Sequence, residues 1–292
     1  MKVGRYEILD TVGAGASGRV VRAHDPYIGR IVAIKIFPRE ISQGAARDRF
    51  FQEARVFGQI SHPGILALHD MGIDEVTQTP YLVMEFVDGQ PLDRVLEKGA
   101  VPFPRACAWV GDIAVALAVA HRKGVIHGDV KPANILINGE GRVKLSDFGM
   151  ARVAHPGMGN GQLLGTPAYW CPEQIMGRPQ DARSDLFSLG GVLYEMLTGQ
   201  SPFHGDSIQA VCTRVLSSAP LPPSRTNASV PQALDEIVAR LLMKDPALRP
   251  ASGDVLAEIL YPLARRKVAA QAEQPSQQSS LRDRASRLLR SA

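Results

Sequence analysis

Three polar side chains crowd into the segment His127-Gly128-Asp129-Val130-Lys131-Pro132-Ala133-Asn134-Ile135-Leu136. The carboxylate at Asp129, the cation at Lys131 and the carboxamide at Asn134 are what phosphoryl transfer asks for. One group orients a hydroxyl, one neutralises the moving charge, and one supplies an oxygen to Mg2+. Asp147, in Asp147-Phe148-Gly149, follows the strand-like run Arg142-Val143-Lys144-Leu145. A carboxylate at a strand end beside glycine can ligate a phosphate-bound Mg2+. A polar loop closed by Pro132 is the plainer reading, and the order of residue types disfavours it.

Two upstream features fit the same chemistry. Gly13-Ala14-Gly15-Ala16-Ser17-Gly18-Arg19-Val20 is a GxGxxGxV pattern. A strand-like run follows it, which places the glycines in a hairpin and not at the start of a helix. Glycines there let backbone N–H groups approach phosphate oxygens with no Cβ in the way. Standing alone, the pattern would suit an ordinary glycine turn better. Lys35 lies in the β-branched run Ile31-Val32-Ala33-Ile34-Lys35-Ile36, and Glu53 shares a helix face with Phe50, Ala54 and Phe57. An inward ammonium and an inward carboxylate each need a partner. Pairing Lys35 with Glu53 satisfies both and holds the ammonium where it can meet nucleotide phosphates.

The elements that must position these groups fall into two parts. Up to about residue 85 the pattern predicts strands over Tyr6–Val12, Arg19–Ala23, Arg30–Phe37, Ile65–Ile73 and Tyr81–Phe86, with one helix over Ala45–Gln59. After Asp88-Gly89 helices dominate: Ala106–Arg122, Asp181–Thr198, Ser207–Ser217, Pro231–Met243 and Ser252–Tyr261. Short strands and glycines fill Val125–Gly165. Two lobes joined near residues 85–89 leave a cleft between them, a common place for a ligand.

The chain has 292 residues, 45% of them apolar and 21% charged, which excludes a wholly disordered or low-complexity protein. Cys107, Cys171 and Cys212 form no CxxC pair, which fits a reducing cytoplasm. The net charge is +4. From Arg265 onward seven basic and two acidic residues carry the surplus, leaving 26 basic against 27 acidic before it. A neutral body is a poor binder of nucleic-acid backbones, so no nucleic-acid partner is expected. The start has no apolar stretch behind its basic residues, and Ala106–Ala120 reads as a buried helix, so no signal peptide and no transmembrane segment are expected. Val268–Ser280 reads as a linker and Ser280–Arg290 as a short amphipathic helix. A solvated end, docking on the body, a partner's groove and an anionic membrane surface all stay open for this tail.

Taken in order, the motifs resemble those of a serine/threonine protein kinase of the eukaryotic-like type found in bacteria. The matching elements are the Gly-rich loop, Val32-Ala33-Ile34-Lys35, Glu53, His127 to Asn134, Asp147-Phe148-Gly149, Gly165-Thr166-Pro167-Ala168-Tyr169, Cys171-Pro172-Glu173, Asp185 and Arg249. The resemblance covers about residues 6–264. It implies an α+β, bilobal fold: a small β-rich N-lobe over about 1–84, a hinge over 85–89, a larger helical C-lobe over 90–264, and a basic tail over 265–292. It implies transfer of the γ-phosphate of Mg-ATP, with Mn2+ as the alternative ion, to Ser or Thr hydroxyls of protein substrates.

The resemblance also distributes roles. Val12, Gly13, Ala14, Gly15, Ala16, Ser17, Gly18, Arg19 and Val20 would line the nucleotide, with Gly13, Gly15 and Gly18 over the phosphates. Lys35 would contact the α- and β-phosphates while paired to Glu53. Met84 would back the adenine pocket, Glu85 and Val87 would bond adenine through their backbones, and Val20, Ala33 and Leu136 would sandwich the ring. Asp129 would orient the hydroxyl, Lys131 would neutralise the γ-phosphate, and Asn134 and Asp147 would hold Mg2+. Thr166 would belong to the substrate platform, Glu173 and Arg249 would brace the large lobe, and Asp185 would brace the catalytic loop.

The chain departs from the family pattern in two places. Gly128 stands where the family usually has Arg, and Met150–Leu164 contain no Ser, Thr or Tyr. In the family that Arg often pairs with an activation-segment phosphate. The two absences together predict activity without phosphorylation of that segment. Cys171 replaces the usual Ala and reads as a small buried thiol, with a redox-sensitive platform as the alternative. A nucleotide-binding scaffold without turnover and a small-molecule kinase of related fold are the competing functions. Retention of Lys35, Glu53, Asp129, Asn134 and Asp147 weighs against the first, and the Gly165–Tyr169 platform against the second.

Overall fold

A computed structural model describes residues 1–15, 18–148 and 167–265. Ala16, Ser17, Gly149, Met150–Leu164, Gly165, Thr166 and the tail from 266 onward lie outside the described residues.

The first part is a six-stranded antiparallel sheet, ordered β1-β2-β3-β4-β6-β5. Its strands are β1 (Lys2–Val3), β2 (Tyr6–Gly15), β3 (Gly18–Asp25), β4 (Arg30–Ile36), β5 (Leu68–Ile73) and β6 (Pro80–Glu85). Because side chains alternate along a strand, each strand serves two layers. Val21, Ala23, Val32, Ile34 and Val83 pack with Tyr6 on one face. The register pairs Val20 with Lys35, Lys35 with Leu82, and Ala33 with Met84, so these residues share the opposite face. Helix α1 (Gly44–Gly58) covers part of that face, burying Phe50 and Ala54 against Phe37, Ile41 and Leu82.

A side-chain network ties the chain start to this sheet. Tyr6 Oη donates to Asp70 at 2.7 Å, Arg5 lies 3.0 Å from the same carboxylate, and Gly4 N–H donates to Asp74 at 2.9 Å.

The second part is mainly helical. The link to it runs through Phe86, Val87 and Asp88, between β6 and β7 (Gly89–Pro91). Strands β7, β8 (Ile135–Asn138) and β9 (Val143–Leu145) form a small antiparallel sheet beneath the cleft. Helices α2 (Leu92–Leu96), α3 (Phe103–His121), α4 (Pro172–Ile175), α5 (Ala182–Thr198), α6 (Ile208–Ser217), α7 (Pro223–Thr226) and α8 (Ala233–Leu241) follow, with a last helix, α9, over 253–265. The α5 helix begins at a reciprocal cap between Asp181 and Ser184 and ends at Gly199 with φ +74°. It is apolar nearly all round and buried, the mark of a central helix. By length and composition α3 could cross a bilayer, but Val110, Ile113, Ala114 and Leu117 are buried in the body, where α3 packs on α5.

Most predicted elements recur within a few residues of their expected ends. The strand predicted over Ile65–Ile73 starts only at Leu68. Residues 64–66 instead bond β9, with Leu66 N–H donating to Leu145 O and Leu145 N–H to Gly64 O. Tertiary pairing between the two parts of the fold claims that apolar stretch. β7 and α2 were not expected.

Glu173 on α4 and Arg249 form a buried ion pair at 2.7 Å. Arg249 also donates to the carbonyls of Met243, Lys244 and Arg183, tying four segments together. Beside it, the Lys244 ammonium is buried without a hydrogen-bond partner among the described residues, 4.3 Å from the Phe203 ring centroid. Burial, then the neighbouring Arg249 charge, pulls Lys244 down to about 8.

Replacing Arg249 by Met strands the Glu173 carboxylate, and unfolding by denaturant should show a loss of about 3–5 kcal/mol. A second change, Glu173→Gln, should recover part of it. A loss below about 1 kcal/mol would show that the pair is not a brace.

The depressed Lys244 pKa has the opposite consequence. The unfolded chain binds more protons between about pH 8 and the usual lysine range, so this group's penalty on the fold is full below pH 8 and relieved above it. Lys244→Met should therefore raise the Tm at pH 7 by about 2 °C. The gain should shrink toward pH 10, and calorimetry of both proteins at the two pH values measures it.

Candidate active site

The loop between α3 and β8 folds around Asp129. Lys131 Nζ lies 2.7 Å from Asp129 Oδ2, and Asn134 Nδ2 donates to the same oxygen at 3.0 Å and to the Asp129 carbonyl at 2.8 Å. A tight turn over Pro132–Asn134 produces this geometry, since Pro132 suits the first position of a helical turn. Both amide protons of Asn134 are spent on Asp129, which leaves its carboxamide oxygen for a cation. Among the described residues no cluster of three or more His, Cys, Asp or Glu forms a cation cage. One carboxamide oxygen and one nearby carboxylate fit a hard, partly hydrated ion carried in on phosphates.

Two buried side chains hold the loop from below. The Asp185 carboxylate accepts from the backbone N–H groups of His127 and Gly128, each at 2.8 Å, and from His121 Nε2 at 2.7 Å. His127 Nδ1 accepts from Asp129 N–H at 3.1 Å, so its proton sits on Nε2, which donates to Ser146 O at 2.8 Å. Ser146 N–H in turn donates to the Asn134 carbonyl at 2.9 Å. The backbone just before Asp147 is thereby tied to both ends of the catalytic segment. Gly128 has φ +74°, a left-handed conformation that only glycine adopts without strain. Its N–H can then reach Asp185 while its neighbour Asp129 turns outward.

Asp147 also has a positive φ, +64°, which short polar residues tolerate best. Its carboxylate turns toward β4, and Lys35 Nζ lies 2.9 Å from Oδ1. Here the structure corrects the expected pairing. Lys35 makes its ion pair with Asp147, and no ion pair joins it to Glu53. The Lys35 side chain is only 4% exposed, so its ammonium takes the carboxylate that comes nearest. Sequence spacing shows that Lys35 and Glu53 each need a partner, not which partner arrives. Glu53 is half-buried on α1. One turn later on that helix Phe57 stacks on Phe148 at 5.5 Å, and Phe148 meets the His127 ring at 4.6 Å. This apolar column links α1 to the loop where the expected ion pair does not.

The residues expected around a nucleotide divide by the same geometry. Val20, Ala33 and Met84 face the cleft side of the sheet, and Leu136 lies half-buried on β8 below it. Glu85 ends β6 just before the link between the lobes, and Val87 lies within that link. The Glu85 side chain turns to Lys144 on β9, 2.9 Å away, and the Glu85 backbone N–H donates to Ala67 O. Val12 is exposed and Arg19 half-buried. The glycines separate into two kinds. A Cβ on Gly18 would lie 2.2 Å from Ile36 O, so the packing of β3 on β4 demands glycine there. A Cβ on Gly13 or Gly15 would meet nothing within 4 Å. Packing among the described residues therefore does not account for glycine at those two positions.

Cys171 is 1% exposed, and burial followed by the adjacent Glu173 pushes its thiol up to about 12. It is a packing residue with almost no thiolate, which speaks for the bland reading over a redox role. Trp109 is buried and donates Nε1–H to Gly141 O, and Trp170 is buried as well. The residues missed from sequence are His121, Ser146 and Lys144. Only Lys144 left a signal, as the polar member of an alternating strand.

The sequence profile of the protein kinase domain matches residues 6–260. The chain is 42% identical over 254 residues to the serine/threonine-protein kinase PknB of Mycolicibacterium smegmatis, covering 83% of this chain and 40% of that protein. It is 38% identical over 264 residues to the serine/threonine-protein kinase PknA of Mycobacterium tuberculosis, covering 87% and 60%. The crystal structure of the PknI kinase domain of Mycobacterium tuberculosis matches with a TM-score of 0.74 and 26% identity, over 90% of this chain and 97% of that one. The chain spans about half the length of the curated relatives it matches. Profile, relatives and fold agree: this chain belongs to the protein kinase family.

Proposed function

We propose that the protein transfers the γ-phosphoryl group of Mg-ATP to serine or threonine hydroxyls of protein substrates. The observation that carries this is the convergence on one carboxylate oxygen of Asp129, which meets the Lys131 ammonium at 2.7 Å and the Asn134 amide at 3.0 Å. Lys131 two residues after the carboxylate resembles the serine/threonine type and favours an alkyl hydroxyl acceptor.

In this reading Asp129 orients the hydroxyl and accepts its proton as the oxygen–phosphorus bond forms and the bond to the leaving ADP oxygen breaks. Lys131 offsets the charge on the transferring group, and Lys35 turns from Asp147 to the nucleotide phosphates. Asn134 and Asp147 would hold a divalent ion, Mg2+ or alternatively Mn2+, which would neutralise phosphate charge. Positioning and charge placement supply most of the rate. We also propose a cytoplasmic location, a reading supported by three buried, unbridged cysteines.

We further infer activity without phosphorylation of the activation segment, in which Met150–Leu164 carry no hydroxyl and Thr166 is the nearest one. Gly128 offers no cation to a phosphate, and the nearest side chains to its missing Cβ are uncharged: Gln180 at 3.6 Å, while Gln174 reaches the Gly128 carbonyl at 3.5 Å. A nucleotide-binding scaffold is the second reading, and the Lys35–Asp147 pair is the observation in its favour, since it occupies the metal ligand.

Turnover of ATP in the presence of a generic Ser/Thr protein substrate separates the two. Asp129→Asn should lower kcat about 10³-fold and Lys35→Met about 100-fold, with the fold intact by circular dichroism. Wild-type turnover no faster than that of Asp129→Asn would establish the scaffold instead. Phosphatase-treated wild type should keep its full initial rate, and a lag abolished by prior incubation with ATP would refute independence from phosphorylation.

A further inference from the structure

Asp185 is almost fully buried, and two of its hydrogen bonds go to the backbone of the catalytic loop. A third goes elsewhere. His121, the last residue of α3, places Nε2 at 2.7 Å from Asp185 Oδ2. That oxygen already accepts from His127 N–H at 2.8 Å, while Oδ1 accepts from Gly128 N–H at 2.8 Å. The His121 side chain is 8% exposed. A carboxylate held only by two adjacent amides can swing about its last torsion, because that rotation is soft and nearly two-fold. A donor arriving from a different helix removes this freedom. It also helps to offset the buried negative charge, since among the described residues Asp185 has no Lys or Arg ion-pair partner.

We propose that His121 is a positioning residue for phosphoryl transfer. Its Nε2–H fixes the Asp185 carboxylate in the orientation that receives the His127 and Gly128 amides, and through them sets the direction of Asp129. The inference rests on the kinase reading of Asp129 but adds a residue outside the motifs, contributed by α3. Hydrogen bonds to a buried charge are among the stronger ones, and a misdirected catalytic group lowers turnover more than it lowers nucleotide binding.

The test compares the full chain with His121→Phe, which keeps a ring but has no donor, and with His121→Gln, whose side-chain N–H reaches nearly as far as Nε2. His121→Phe should lower kcat about 10- to 100-fold while the KM for ATP stays within about twofold. Hydrogen exchange at the His127 and Gly128 amides should quicken by about tenfold, with the α3 and α5 core amides unchanged. His121→Gln should restore most of both. Unchanged exchange at 127 and 128 in His121→Phe overturns the proposal whatever the turnover. So does equal impairment of both variants with general loss of protection, which would make His121 a packing residue only. The exchange comparison needs no turnover, so a wild type without transfer activity counts against the proposed function and leaves this comparison to decide the role of His121.

Discussion

One buried carboxylate sets the geometry of the cleft. Asp185 lies near the start of the central helix α5, among apolar side chains, and its charge must be matched by hydrogen bonds. Two of them come from consecutive backbone N–H groups at 127 and 128. Consecutive amides point to one side only if the backbone between them departs from regular structure, and Gly128 with its positive φ makes that departure possible. Burial of a single charge thus fixes the turn of the backbone at Gly128 and which way Asp129 faces. It also dictates that the loop stays out of any helix or strand.

The rest of the site hangs from this anchor through short polar steps. His127 passes the constraint to Ser146, Ser146 to Asn134, and Asn134 back to Asp129. The ring closes on itself, so the two residues suited to hold a divalent ion are set by the same bonds that aim the carboxylate. The opposite wall is built differently. There the alternation of β3, β4 and β6 sends Val20, Ala33, Lys35 and Met84 to one face, and the contact between the lobes is the column Phe57–Phe148–His127. Polar bonds position one wall and apolar packing the other. In this arrangement Lys35 rests on Asp147, and the helix bearing Glu53 is joined to the loop through Phe57.

Much of this was legible in the residues. Period-two alternation predicted β2 and β3, a β-branched run predicted β4, and helical periodicity predicted α1, α3, α5 and α6. The segment from His127 to Asn134 announced its chemistry because three different polar types were spaced too closely to be incidental. The misses have a common cause. β7 and α2 are too short to carry a period, and residues 64–66 look like a strand but spend their hydrogen bonds on β9. The Lys35–Glu53 pair was inferred from two unmet needs, and such needs do not rank partners by distance. His121 looked like an ordinary polar end to an apolar helix.

The amino-acid order alone determined the element types, the apolar faces, the neutral body and the inventory of groups able to handle a phosphoryl transfer, because these depend on local periodicity and side-chain chemistry. Only the tertiary structure decided which groups meet. Lys35 found Asp147, Asp185 collected donors from two distant segments, and Gly18 proved to be demanded by packing, whereas Gly13 and Gly15 remain free to face a ligand. The physical reason is that the partner of a buried charge is settled by distance in the folded chain, and residues remote in sequence compete for it on equal terms.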